Sequence, residues 1–271
     1  PSNVGKVLIL WFTVYLKTGE PKDQYLTNIA WAPDEKSVYV AIVNRAQNHM
    51  WLNEYDVATG QFVKTLFEET STTYVEPQDA MIFLSTRPTE FIWQSSRSGH
   101  KHFYLYNTDG KLVKQLTSGE WDVMQVIGMD AKERTLYYTS TQESPMQRHL
   151  YAVDLKSQKV TKLTAEHGTH NTLVNIEKGY FLDVFSSTDV PNCIDLYTLN
   201  GKKVKNLLVA ENPYAGMDMP ELEMVTLTAK DGKTPLYGRI IKPLGYKEGG
   251  KHPVIVYVYG GPHLQLVTDT W

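Results

Sequence analysis

One alternation of apolar and polar positions recurs along most of the chain. An aromatic or Leu-Tyr strand leads into a turn rich in Asp, Asn and Gly, and a second strand then closes on Lys and Leu. Copies occupy residues 51–66, 104–116, 150–163 and 195–207. Thr59-Gly60, Asp109-Gly110 and Asn200-Gly201 place residues that tolerate positive φ at the tight connection, so the pattern predicts a β-hairpin in each copy. Between copies lies a further apolar strand, at residues 38–42, 91–95, 136–140 and 180–184, giving three or four strands per period. The closing residues Leu66, Leu116, Leu163 and Leu207 recur at the period of about 40–50 residues that marks β-propeller blades. An ordinary antiparallel sandwich would not reproduce one hairpin four times. Residues 9–19 read as the last hairpin of an earlier blade, and no helix is predicted before residue 220. The expectation is an all-β chain, a partial β-propeller of about four to five blades.

The pattern changes around Ala215 to Pro220. Residues 221–229 alternate polar and apolar positions, Asp231-Gly232-Lys233 turns them, and residues 236–243 return. A Pro- and Gly-rich stretch then leads into Val254-Ile255-Val256-Tyr257-Val258-Tyr259, which has the uncharged, β-branched and aromatic composition of a strand buried on both faces of a sheet. It stops on Gly260-Gly261-Pro262, where the backbone must turn sharply. A buried strand ending in a glycine turn is how an α/β-hydrolase builds the loop that supplies an oxyanion hole. A boundary near 219 therefore divides the chain into a propeller, 1–219, and the first strands of an α/β-hydrolase domain, 220–271. The chain reads as a piece of a larger hydrolase.

Composition changes this picture little. The 271 residues carry a formal net charge of -3 with Lys and Arg scattered, which gives no reason to expect a nucleic acid partner. Cys193 is the single cysteine, so no intrachain disulfide framework exists, and it reads as a small buried hydrophobe. No cofactor and no metal are predicted. His100 and His102 would share a strand face, and His167 and His170 form a second loose pair, but neither pair has a third ligand in a recognisable pattern, so structural roles are expected. Glu68-Glu69 reads as solvated charge. Arg45, Gln47 and Asn48, on a loop between two strands, read as turn-bridging groups, the alternative being Arg45 at a propeller channel or domain interface. No Gly-x-Ser-x-Gly occurs, so no nucleophile elbow is present in these residues.

The junction resembles that of prolyl oligopeptidase-type serine peptidases, in which an N-terminal propeller feeds an α/β-hydrolase domain. Within that group the sequence is most similar to the dipeptidyl peptidase IV family, bacterial branch. The resemblance rests on Val258-Tyr259-Gly260-Gly261-Pro262 after Lys251-His252-Pro253, Asn44-Arg45-Ala46-Gln47-Asn48, Tyr74-Val75-Glu76-Pro77, Phe91-Ile92-Trp93-Gln94-Ser95 with Arg97-Ser98-Gly99, and Leu116-Thr117-Ser118-Gly119-Glu120-Trp121-Asp122-Val123, in family order. It implies a serine exopeptidase that releases N-terminal dipeptides with Pro or Ala second. The family's catalytic serine, acid and histidine lie downstream of this stretch and its amine-binding glutamates upstream. One catalytic position carries over: Tyr259 matches the family tyrosine whose hydroxyl helps form the oxyanion hole. Tyr74 to Pro77 fall near the family's second side-chain pocket, but the loop is shorter than in the animal enzymes and no residue is assigned there. The resemblance further implies a homodimeric parent, exported to the periplasm or tethered to a membrane outside the cytoplasm. The stretch alone is expected to be inactive. The competing reading is a non-catalytic propeller that binds or scaffolds.

Overall fold

The computed structural model describes residues 13–261 and 264–271, and every regular element among them is a β-strand. Sixteen strands form four antiparallel four-stranded meanders, each in plain sequence order. The first blade is β1 (Gln24–Trp31), β2 (Ser37–Asn44), β3 (His49–Asp56) and β4 (Phe62–Thr70); the second is β5 (Ile82–Leu84), β6 (Arg87–Ser95), β7 (His102–Asn107) and β8 (Leu112–Gln115). The third is β9 (Val123–Met129), β10 (Thr135–Ser140), β11 (His149–Asp154) and β12 (Val160–Lys162), and the fourth is β13 (Thr169–Asn175), β14 (Tyr180–Ser186), β15 (Cys193–Thr198) and β16 (Lys203–Val209). A separate hairpin follows, β17 (Glu221–Thr228) with β18 (Pro235–Lys242). The chain divides into two compact units, one ending at Ser118 and one starting at Gly119, each with two blades.

The repeat read from the sequence is the second half of each blade, with the intervening apolar strand as the second strand. The second and third strands carry the core because their neighbours on both sides satisfy the backbone while their side chains are covered. In β2 the side chains of Val38, Val40 and Ile42 pack with Tyr55, while Tyr39, Ala41 and Val43 join Met50 and Leu52 on the other face. That second cluster continues into Phe91, Trp93, Tyr104 and Tyr106 of the next blade. In the other unit Tyr137, Leu150, Ala152 and Leu163 meet Phe181 and Tyr197 in the same way. The first strands β1, β5, β9 and β13 were not marked by the repeat. They are short or rich in exposed and polar positions, and no tight glycine turn announces them.

Two details repeat from blade to blade. The hairpin glycine Gly110 has φ +84°, and a Cβ there would lie 1.9 Å from the carbonyl oxygen of Leu66, the closing residue of the preceding blade. Gly60 stands in the same relation to Tyr15, at 2.1 Å. The hairpin turn of the second blade thus rests on the closing strand of the first, and at both Gly110 and Gly60 only glycine fits the approach. Secondly, a buried histidine opens the third strand and meets a threonine just past the fourth. His102 Nδ1 lies 3.2 Å from Thr117 Oγ1, and His149 Nδ1 lies 2.9 Å from Thr164 Oγ1. Each threonine oxygen also accepts the next backbone N–H, from Phe103 and Leu150.

Two expectations are corrected. Residues 254–259 form no strand and are exposed, Ile255 by 97% and Tyr257 by 83%. A central strand is buried by its neighbours, and none of the described residues pairs with this segment. Of the hairpin expected over residues 9–19, the part before Thr13 lies outside the described residues, and residues 13–19 belong to no strand. Leu16 nevertheless packs on Val38, Val40, Ile42 and Tyr55, and the Lys17 N–H donates to the Gly60 carbonyl at 2.8 Å.

Candidate functional site

Tyr259 lies at the end of the extended apolar stretch with its side chain 55% exposed. Gly260 follows with φ +65°, which lets the chain reverse. The turn folds the ring back over Gly261: a Cβ on that glycine would lie 2.7 Å from Tyr259 Cε1 and 3.2 Å from its hydroxyl oxygen. The glycine pair thus gives the phenol a backbone shelf to rest on. Such a group can donate one hydrogen bond to a developing oxyanion.

The other sequence candidates separate into structural and surface groups. Asn44 and Asn48 bridge their turn, Asn44 Oδ1 accepting the Asn48 and His49 N–H groups at 3.0 and 3.1 Å. Gln47 holds the following loop, its carbonyl accepting the Val75 N–H at 2.7 Å. Arg45 is exposed, donates to the Tyr25 hydroxyl and covers that ring at 5.4 Å. His100 lies in the bend before β7 rather than on a strand, so it shares no strand face with the buried His102. His170 is buried against Asp183, with Nδ1 2.8 Å from Oδ2, while Nε2 meets the Glu166 carbonyl at 2.9 Å. His167 is exposed, 3.8 Å from Asp189. Among the described residues no group of three or more His, Cys, Asp or Glu converges as a metal site. Cys193 is buried, and burial raises its thiol pKa.

Glu69 is not solvated charge. Its carboxylate is 10% exposed and accepts from Trp93 Nε1 at 2.9 Å, from Ser95 Oγ at 2.8 Å and from the Arg97 guanidinium. Arg97 lies over the Tyr104 ring at 4.7 Å and the Phe67 ring at 5.6 Å, and donates to the Tyr106 hydroxyl. Burial alone would lower the Arg97 pKa, but Glu69 and the Tyr106 hydroxyl outweigh it and hold it above the ordinary value. The pair Glu68-Glu69 concealed this because strand alternation sends its members to opposite faces: Glu68 meets His49 at the surface while Glu69 turns inward. The readable signal was the indole N–H of Trp93, which needs a partner when buried.

A family model described as the dipeptidyl peptidase IV N-terminal region matches residues 10–192. The chain belongs to the dipeptidyl peptidase IV family. A candidate dipeptidyl aminopeptidase IV from Bacteroides ovatus has a crystal structure that superposes with TM-score 0.86 at 38% identity, covering 95% of this chain and 39% of that one. The Porphyromonas gingivalis dipeptidyl peptidase 4 superposes with TM-score 0.78 at 25% identity, over 94% of this chain and 36% of that one. Human dipeptidyl peptidase 8 is 25% identical over 91% of this chain and 34% of its own length. The bacterial branch fits both structural relatives, and the propeller reading of the four blades fits the family's N-terminal region. The chain spans about a third of the length of the curated relatives it matches.

Proposed function

We propose that this chain is the distal propeller and catalytic-domain opening of a serine exopeptidase that releases N-terminal dipeptides with Pro or Ala in second position. In this reading the boundary falls near 219, residues 1–219 form the propeller and residues 220–271 begin the hydrolase domain. Tyr259 supplies one oxyanion donor, and the nucleophile, its acid and its histidine come from the longer protein. The blades restrict access so that only the ends of unfolded peptides reach the site. The parent is a homodimer exported beyond the cytoplasmic membrane. The observation that carries the reading is the exposed phenol of Tyr259 held over Gly261, in a chain whose propeller belongs to the dipeptidyl peptidase IV family.

The extended stretch before Tyr259 supports the same reading. Its uncovered apolar side chains match what a central strand presents before its neighbours are in place. The test is steady-state hydrolysis of Gly-Pro-p-nitroanilide by the full-length protein, its Tyr259→Phe variant and this chain alone. The full-length protein is expected to turn over, the variant to lose about 10²–10³ in kcat, and the chain alone to give no product above blank. A full-length protein without turnover, or a Tyr259→Phe variant with unchanged kcat, overturns the reading and favours a propeller that only binds.

A further inference from the structure

Beyond the Tyr259 turn the chain comes back to the blades of its own unit. Residues 251–261 are exposed, yet Asp269 is 8% exposed. Its Oδ2 accepts from Gln147 Nε2 at 2.9 Å, its Oδ1 accepts the Thr188 backbone N–H at 3.0 Å, and its own N–H donates to the Met146 carbonyl at 2.9 Å. Met146 and Gln147 belong to the connection between β10 and β11, and Thr188 to the connection between β14 and β15. One carboxylate therefore joins loops of two neighbouring blades.

The flanking residues are held by the hairpin. Arg239 of β18 donates through Nη2 to the Thr268 carbonyl at 2.7 Å and to the Thr270 carbonyl at 3.2 Å. In this way β18 and the segment around Asp269 are tied at Arg239, which closes the base of an excursion that leaves the hairpin after β18 and carries Tyr259. Asp269 fastens that base to the blades.

The receiving group is itself fixed. Gln147 Oε1 lies 3.0 Å from His149 Nε2, and His149 Nδ1 is engaged by Thr164. The His149 ring lies 4.5 Å from that of His170, which Asp183 and the Glu166 carbonyl hold in turn. With its Oε1 committed to His149, the Gln147 amide can present only N–H toward Asp269. A buried carboxylate is costly where its hydrogen bonds are not met, so this one fits a single register, where the Gln147 amide and the Thr188 N–H converge.

We propose that Asp269 is a positioning residue that registers residues 264–271, and through Arg239 the base of the Tyr259 excursion, on the two blade loops. What is positioned rests on the peptidase reading above; the docking does not. The test uses the full-length protein with Asp269→Ala, Asp269→Asn and Gln147→Ala, read by hydrogen exchange of peptides covering Thr188 and residues 264–271 and by Gly-Pro-p-nitroanilide kinetics. Asp269→Ala is expected to speed exchange in both peptides by about tenfold or more and to lower kcat by about tenfold or more, with KM within about twofold. Asp269→Asn, which keeps an acceptor for the Thr188 N–H, is expected to retain protection at Thr188 and lie between wild type and Ala in kcat.

Unchanged exchange in Asp269→Ala overturns the docking, whatever the kinetics. Faster exchange with unchanged kcat overturns the positioning role. If Asp269→Ala does not fold, Gln147→Ala answers the same two questions. A wild-type protein without turnover sinks the peptidase reading alone, because exchange still decides the docking.

Discussion

Two stretches of nearly the same composition end in opposite environments. Val38 to Val43, in β2, reads Val-Tyr-Val-Ala-Ile-Val and is at most 5% exposed throughout. Val254 to Tyr259 reads Val-Ile-Val-Tyr-Val-Tyr, is 55–97% exposed and belongs to no sheet. The first has β1 and β3 on its two edges and apolar clusters on both faces; the second has neither among the described residues. Apolar β-branched composition states that a segment can serve as a buried strand, and the neighbours decide whether it does.

The contrast is sharpest in stability. Trp93→Ala, which empties a fully buried site and removes the indole donor to Glu69, is expected to destabilise the first unit by about 3–5 kcal/mol in urea unfolding. A loss below about 1 kcal/mol would show that the seam between the first two blades does not carry the core. Gly110→Ala is expected to cost about 2–4 kcal/mol, since it adds left-handed backbone strain to a collision with the Leu66 carbonyl. Gly232→Ala, at φ +71° with nothing nearby, isolates the strain and should cost about 1 kcal/mol. Equal losses at the two glycines would break the stacking argument.

Glu69→Ala is expected to cost about 2 kcal/mol. That is less than a fully buried pair, because the Arg97 side chain keeps 29% of its surface in water. The pH dependence of the second unit gives a separate test. Burial, with His170 and Lys162 nearby, depresses the His149 pKa from 6.5 to about 3, so the unfolded chain binds a proton there that the folded chain refuses. Stability from this group is present in full above pH 6.5 and declines as pH falls toward about 3. Thermal melts should fall over that window, with a shallower slope in His149→Gln. The smallest effect belongs to the exposed stretch, where Ile255→Ala should change the stability of this chain by no more than about 0.5 kcal/mol. A larger loss would mean that the stretch is packed after all.

The sequence by itself determined the blades. A hairpin repeat needs only local turn chemistry and period-two alternation, both written in residues such as Asp109-Gly110 and Leu105 to Leu116, and the antiparallel partner is next in the chain. It also marked Tyr259 before its glycines. The tertiary structure alone decided which of Glu68 and Glu69 is buried, that residues 254–259 lie uncovered, and that Asp269 reaches back to Gln147 and Thr188. Those outcomes depend on contacts between residues far apart in the chain, Asp269 to Gln147 among them. Nothing in the local pattern encodes which distant donor, face or sheet edge will be there to meet them.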